Sequence, residues 1–190
     1  VLMMTLVGVS GLSAVVVSNE TQLRAAVTAA NSGGDTQIVL TDGTYNLTEM
    51  LYITRDGVSI RSQSGSRDGV VLRGQGMTGG VSHVIQIQAT GVTIEDMTLG
   101  WVANHAIQIH GENNAHNAVM RNLHLVDTFE QMIKVSFNPA HPENESRNGL
   151  VEGCLFEYSA GIGPQWYIGG VDAHNAADWI VGIHAPDVPL

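Results

Sequence analysis

Cysteine, aromatic residues and basic residues are all scarce in this chain of 190 residues. The one cysteine, Cys154, excludes an internal disulfide and any cysteine-based zinc cluster. Aromatic residues make up only 5% of the chain, so Val, Ile, Leu, Met and Ala have to fill the core. Together with 22 glycines, this composition favours many short strands and tight turns over a helical bundle.

Basic residues number only eight against eighteen acidic ones, which gives a formal net charge of −10. A nucleic-acid-binding protein needs a basic stripe that displaces counterions from phosphates, and the sequence has none. We therefore expect no nucleic-acid partner. An acidic surface also repels anionic polymers, so an anionic substrate would call for Ca²⁺ or a similar bridging cation.

Residues 1–17 carry no charge. The apolar run 2–7 and the small residues at 11–14 are typical of the end of a secretory signal peptide. The segment 1–17 is therefore predicted to be a signal-peptide remnant, and the alternative is a first strand at 15–17. The run is too short and too broken by glycine to predict a membrane span. We expect a secreted or periplasmic protein without a membrane partner.

Residues 18–34 predict a short helix. Asn19 is suited to cap it, and Gln22 lies three residues later, where the partner in a capping box belongs. Apolar residues at 23, 26, 27 and 30 follow at helical spacing, and Gly33 and Gly34 end the helix.

After Gly34 the apolar residues form short, β-branched runs bounded by Gly, Asn or Asp, which predict strands. The runs lie at 38–40, 51–53, 58–60, 70–72, 84–87, 92–94, 107–109, 133–135 and 179–181.

Two repeat series organise these runs. The hexapeptides 94–99, 120–125 and 151–156 align with one another, and the second interval is longer than the first. Their first, fourth and sixth positions are apolar, and the third is Asp, Asn or Gly, which tolerate the left-handed backbone of a sharp bend. The tripeptides starting at 85, 107 and 133 form the second series. Such repeats cannot bury a face alone, so they predict stacked coils with turns of unequal length, about five to six in number.

The predicted helix, the start at 38–45 and the Asn- and Asp-punctuated repeats resemble pectin-lyase-like proteins over residues 18 to about 181. The resemblance implies an all-β fold, a right-handed single-stranded parallel β-helix with a short N-terminal capping helix. It also implies an extracellular polysaccharide as substrate or ligand, because many such proteins are polysaccharide lyases or glycoside hydrolases. Within the repeats, Cys154 takes the same inward position as Met97 and Leu123 and is expected to be a core thiol.

Residues 182–190 are predicted to be an irregular tail, because Pro186 and Pro189 cannot join a strand ladder. No capping helix is evident there. We therefore interpret residues 18–181 as the N-terminal part of a longer β-helix, or as a β-helix with a damaged C-terminus, and an uncapped last coil predicts self-association.

If the isoleucines at 85, 107 and 133 point inward, Gln86, Gln108 and Lys134 form an outward column with His110 beside it. Such a column can hydrogen-bond sugar hydroxyls, and the alternative is an ordinary solvated face. Lys134 is the only lysine in the chain. In a lyase it can remove the proton beside a uronate carboxylate if its pKa is lowered toward neutrality. Arg147 follows a long insertion and is, with His110, a candidate to lie near Lys134.

The least repeat-like stretch, 163–175, contains Trp166 and Tyr167, which are suited to stack on sugars or to pack in a turn. Asp172 can orient His174 for acid–base chemistry, contribute with it to a metal site, or form a structural pair with it.

The leading interpretation is a polysaccharide-active protein, lyase-like, working on a uronate-containing polymer. The catalytic candidates are Lys134, His110, Arg147, Asp172 and His174, and the substrate-binding candidates are Gln86, Gln108, Trp166 and Tyr167. The sequence predicts no metal-ligand set, although Ca²⁺ can bridge to an anionic substrate. The alternatives are a non-catalytic carbohydrate-binding or adhesive protein and a glycoside hydrolase, for which Glu112, Glu130 and Asp172 are the conceivable carboxylates. The preference for a lyase over these alternatives rests mainly on analogy with the fold.

Overall fold

The computed structural model describes residues 14–182, and every strand pair within them is parallel. These residues hold one α-helix, α1 (Glu20–Asn31), one 3₁₀ helix (Gly111–Asn113) and three sheets. Sheet A contains β1 (Ala14–Val17), β2 (Gln37–Leu40), β3 (Gly43–Asn46), β5 (Ser59–Ser62), β6 (Val70–Arg73), β8 (Thr93–Val102), β10 (Val119–Thr128), β13 (Leu150–Glu152), β14 (Leu155–Glu157) and β17 (Ile180–Gly182). Sheet B contains β4 (Leu51–Ile53), β7 (Ile85–Ile87), β9 (Ile107–His110), β11 (Ile133–Ser136) and β15 (Val171–Ala173). Sheet C contains β12 (Ser146–Arg147) and β16 (Ala176–Ala177).

The chain moves back and forth between sheets A and B. In sheet B the spatial order β4, β7, β9, β11, β15 is also the order along the chain, and β8, β10 and β13 follow one another in sheet A in the same way. The fold is therefore strand-rich, with long parallel sheets and one α-helix. This arrangement is compatible with the predicted stack of coils.

The register of sheet A confirms the alignment of the three hexapeptides. Met120 lies opposite Ile94 on one side and Val151 on the other, and all three side chains are buried. The third positions have the expected positive φ, 61° at Asp96, 50° at Asn122 and 62° at Gly153. β8 and β10 therefore each bend at a left-handed residue, and Gly153 makes the same bend between β13 and β14. The bends keep the apolar side chains of the three hexapeptides against one core.

The cysteine of the third hexapeptide packs against that core. Cys154 is partly buried, and burial raises the pKa of its thiol. A protonated, half-buried thiol is a packing group rather than a nucleophile.

Helix α1 begins and ends where the sequence predicts. The Asn19 side chain accepts a hydrogen bond from the Gln22 backbone N–H at 2.9 Å, which caps the first turn. The Gln22 side chain accepts a hydrogen bond from the backbone N–H of Ser18. In a capping box it would accept from the N–H of the cap residue Asn19, which is the next residue along the chain. The apolar stripe of the helix, Leu23, Ala26, Val27 and Ala30, is buried and joins the core shared with the neighbouring strands.

The segment predicted as a signal remnant or first strand contains a strand at its end. β1 pairs with β2 in sheet A, and Val17 is buried there. Residues 1–13, the rest of that segment, and residues 183–190 of the predicted tail lie outside the described residues. No helix between residues 14 and 182 has the length and apolar character needed to cross a membrane.

Candidate functional site

One outward column of partly exposed side chains crosses sheet B. Register places Tyr52, Gln86, Gln108, Lys134 and Asp172 opposite one another on five successive strands, which are spaced about 4.8 Å apart. This confirms the adjacency predicted for Gln86, Gln108 and Lys134, and it adds a residue at each end. We call these five residues the polar strip.

The two glutamines of the polar strip form an amide pair. Gln86 Nε2 donates a hydrogen bond to Gln108 Oε1 at 2.9 Å, and Gln86 also lies 3.4 Å from His83 Nδ1. Neighbouring strands thus hold both amides in a defined orientation. An amide carries donors and an acceptor, so such a pair can bind sugar hydroxyls without introducing charge.

Four side chains meet at the other end of the polar strip. Lys134 Nζ lies 2.5 Å from Asp172 Oδ2, and the Tyr167 hydroxyl lies 3.3 Å from Lys134 Nζ and 3.4 Å from Asp172 Oδ2. His174 Nε2 lies 3.1 Å from Asp172 Oδ1. We call Lys134, Tyr167, Asp172 and His174 the Lys134 cluster. The contact between Asp172 and His174 is one that the sequence spacing anticipated.

The contacts in the Lys134 cluster stabilise the charged forms of both ions. Burial lowers the pKa of Lys134, but hydrogen bonds to Asp172 and Tyr167 outweigh burial and hold the pKa above its usual value. Burial raises the pKa of Asp172, but the Lys134 ammonium and His174 outweigh it and hold the pKa below its usual value. The condition under which Lys134 would act as a base, a lowered pKa, is therefore not met. Lys134 is an ammonium that can neutralise an anion.

Two buried histidines beside the polar strip were not singled out by the sequence analysis. The rings of His83 and His105 lie 5.4 Å apart between centroids, and both residues are buried. Burial, with His105 and His110 nearby, lowers the pKa of His83 to about 4. The signal was present in the repeats, because His83, His105 and Gln131 each lie two residues before a repeat isoleucine.

His105 is held on both sides by the segment that precedes β11. Its Nδ1 lies 2.8 Å from the backbone oxygen of Gln131, and its Nε2 lies 3.3 Å from Glu130 Oε2. Burial is the largest influence on the pKa of His105 and lowers it. The nearby charges include Glu130, Lys134 and Asp172, so His105 shares an electrostatic environment with the Lys134 cluster.

His110 belongs to a separate group. Its Nδ1 lies 2.8 Å from Glu112 Oε1, and Ser136 Oγ donates to Glu112 Oε2 at 2.7 Å. Burial raises the pKa of Glu112, but hydrogen bonds from Ser136 and His110 outweigh burial and leave the pKa lowered. His110 lies opposite Ser136 in sheet B, and its contacts are with Glu112 rather than with Lys134.

The structure does not bring Arg147 to Lys134. Arg147 lies on β12 of sheet C, where its guanidinium contacts Glu145 and Asp178. The expectation that Arg147 would lie beside Lys134 is therefore not met, because the insertion returns the chain to another sheet.

The predicted aromatic pair lies next to the Lys134 cluster. The Trp166 and Tyr167 rings have centroids 5.6 Å apart with a 56° tilt, and Trp166 is 90% exposed. An exposed indole beside hydrogen-bonding side chains is suited to cover the face of a sugar ring.

Across residues 14–182, no three His, Cys, Asp or Glu side chains come together as a metal-ligand group. Ca²⁺ as a bridging ion therefore stays a prediction. No protein-family model, curated protein or solved structure matches the chain. The functional argument accordingly rests on the residues of the polar strip and the Lys134 cluster.

Proposed function

We propose that this chain is a secreted or periplasmic, pectin-lyase-like right-handed parallel β-helix that acts on a uronate-containing polysaccharide along sheet B. One observation carries the proposal: an ammonium, a carboxylate, a phenol and an imidazole meet at the end of a column of neutral amides. A polysaccharide lyase needs a cation for the uronate carboxylate, a proton acceptor and a proton donor, and the Lys134 cluster contains all three kinds of group.

In the proposed reaction Lys134 pairs with the uronate carboxylate and stabilises the negative charge that develops beside it. The imidazole of His174 takes the proton from the carbon next to the carboxylate. The electron pair forms a carbon–carbon double bond, the bond to the leaving sugar oxygen breaks, and that oxygen takes the Tyr167 hydroxyl proton. Exchange with water returns the proton of His174 to Tyr167. Asp172 is a positioning residue, because it contacts Lys134 and His174 and orients both.

A non-catalytic carbohydrate-binding protein is the second candidate, and the pairing of Lys134 with Asp172 favours it. An ammonium already neutralised by a carboxylate at 2.5 Å loses part of its attraction for a uronate. Under this candidate, glycan binding survives replacement of Lys134 and His174 by alanine. A glycoside hydrolase is less favoured, because Asp172, Glu112 and Glu130 each contact different partners instead of forming a pair.

The test is an assay for unsaturated products on pectate, alginate and other uronate polymers, with Ca²⁺ and with a chelator. We expect ultraviolet absorbance to rise with at least one polymer. The rate of this rise should be about 100-fold or more lower in His174→Ala, Lys134→Met and Tyr167→Phe. His141→Ala is the matched control, because His141 is an exposed histidine paired with Glu143 in the loop between β11 and β12.

Binding without unsaturated product would contradict the lyase and support the second candidate. Reducing sugar released without unsaturation would indicate the hydrolase. If no polysaccharide binds, the proposed function is wrong as a whole.

A further inference from the structure

Positive charge is confined to one end of the polar strip. Among the described strands of sheet B, Lys134 is the only lysine or arginine. The three preceding positions of the strip are Tyr52, Gln86 and Gln108, which are hydrogen-bonding groups without charge at neutral pH. Beyond Lys134 the strip ends at Asp172, whose carboxylate pairs with the Lys134 ammonium. A polymer lying across the strands therefore meets the ammonium of this ion pair at one end and only neutral groups before it.

The histidine that is hydrogen-bonded to the amide pair does not supply the missing charge. His83 Nδ1 lies 3.4 Å from Gln86 Nε2, within hydrogen-bond distance of the pair. Because burial and its histidine neighbours lower the pKa of His83 to about 4, its ring is neutral at neutral pH.

Carboxylates flank the same positions. Glu130 lies against His105, which precedes β9, and Glu112 lies against His110, the last residue of β9. Gln108 sits on the same strand as His110 and follows His105 by three residues, so its surroundings are neutral to acidic. A uronate carboxylate placed on Gln108 would lose water and gain no cation there.

Sugar hydroxyls match the amide pair better than carboxylates do. A carboxylate only accepts hydrogen bonds, whereas the oriented glutamine pair presents both an amide oxygen and amide N–H groups. A hydroxyl both donates and accepts, so a neutral sugar can satisfy both amides at once.

We propose that the ligand of the polar strip is a heteropolymer, with one acidic sugar at the Lys134 cluster and neutral sugars over Gln86 and Gln108. A homopolymer of uronates is the disfavoured ligand. This inference rests on the proposed function, because it assumes that a polysaccharide lies along sheet B.

The experiment measures binding of three saccharides of equal length to the full chain by isothermal titration calorimetry, in a chelator and again in Ca²⁺. The three are a uronate homopolymer, a polymer that alternates uronate with a neutral sugar, and a neutral glycan. In the chelator we expect the alternating polymer to bind about 10-fold or more tightly than either of the others, which is the effect of one favourable charge contact.

Two variants place a cation where the strip is neutral. Gln108→Lys and Gln86→Lys are each expected to raise the affinity for the uronate homopolymer several-fold and to lower that for the neutral glycan. Gln63→Lys is the matched control, because Gln63 is an exposed glutamine that follows β5 in sheet A and its change adds the same net charge elsewhere. Equal gains in Gln63→Lys and Gln108→Lys would overturn the inference, since the effect would then come from net charge alone.

The remaining outcomes separate the two proposals. A homopolymer that binds as tightly as the alternating polymer in the chelator overturns the inference and leaves the proposed function intact. A neutral glycan that binds as tightly as the alternating polymer also overturns it, because Lys134 would then select nothing. If none of the three binds, the proposed function and the inference both fail. The order of the three affinities measured on the unmodified chain tests the inference even where a lysine variant does not fold.

Discussion

The two faces of sheet B are formed by the same strands but have different roles: the inward face packs in the core, and the outward face carries polar side chains. On β9, Ile107 and Ile109 are fully buried, whereas Gln108 between them is partly exposed and bonded to the next strand. β7 and β11 repeat this alternation. The inward face holds the sheets together through apolar contact, and the outward face carries hydrogen-bonding and charged groups. Stability and ligand binding should therefore respond to different residues that lie side by side.

The largest expected effect is on the inward face. Ile107→Ala should lower the free energy of unfolding by about 2–5 kcal/mol, because it removes a fully buried side chain and leaves a cavity. Gln108→Ala, one residue away, should cost under about 1.5 kcal/mol, the value of a partly exposed hydrogen bond. Urea denaturation of both variants measures the difference. Equal losses would show that the two faces are not separable.

The next effect concerns His83, a polar residue buried at the margin between the two faces. Its pKa of about 4 in the folded chain lies below its ordinary value of about 6.5, so the unfolded chain binds the proton more readily between these values. The stability that neutral His83 contributes is complete above pH 6.5 and is lost as the pH falls toward 4.

His83→Gln should therefore lose less stability than the unmodified chain when urea midpoints are compared at pH 7.5 and 4.5. His105, whose pKa is also lowered, remains in both proteins and adds a slope of the same sign to each. His110, Glu112 and Glu130 are the other titrating groups close by, and they too are unchanged. A slope that His83→Gln leaves unaltered would contradict the prediction.

A smaller effect is expected at the bends that let sheet A strands contribute to the core. Asn122 has φ of 50° and its amide donates to Asp96 Oδ1 at 2.7 Å. Asn122→Ala should cost about 1–2 kcal/mol through left-handed strain. Asn122→Gly keeps the backbone conformation accessible and should cost less, and thermal or urea unfolding of the pair measures this. A glycine variant less stable than the alanine variant would indicate that the side-chain bond matters more than the bend.

The smallest effect on stability is expected at Trp166, which lies next to the Lys134 cluster. Trp166 is 90% exposed, so Trp166→Ala should change the free energy of unfolding by less than about 0.5 kcal/mol. The same change should weaken binding of whichever polysaccharide the polar strip takes. A Trp166→Ala chain that binds as the unmodified one does would remove Trp166 from the proposed site and would leave Lys134 in it.

Much of the sheet register could be predicted, because repeated short sequence patterns determine which residues of neighbouring strands lie opposite one another. The alignment of the hexapeptides, the left-handed residues at 96, 122 and 153, and the α1 bounds all follow from short-range patterns. The strands β3, β12 and β16 were missed, because they are short and lack an apolar run. Their pairing depends on the neighbouring strand rather than on their own residues.

The site was predicted in part. Asp172 and His174 are two residues apart, so their contact could be inferred from strand geometry. The partner of Lys134 could not, because Asp172 lies far along the chain and the intervening insertion has no fixed length. Without that partner the direction of the pKa shift of Lys134 was open, and the contact with Asp172 raises it.

The repeats in this chain are enough to say which side chains point inward, which point outward and where each strand bends, because alternation and left-handed residues act within a few positions of the chain. They do not say which outward groups meet, nor which of them carry a charge. Those properties arise when strands far apart in sequence come to lie next to one another, since hydrogen bonds and burial then set each pKa. Lys134 with Asp172, and the buried His83 with His105, are contacts of that kind.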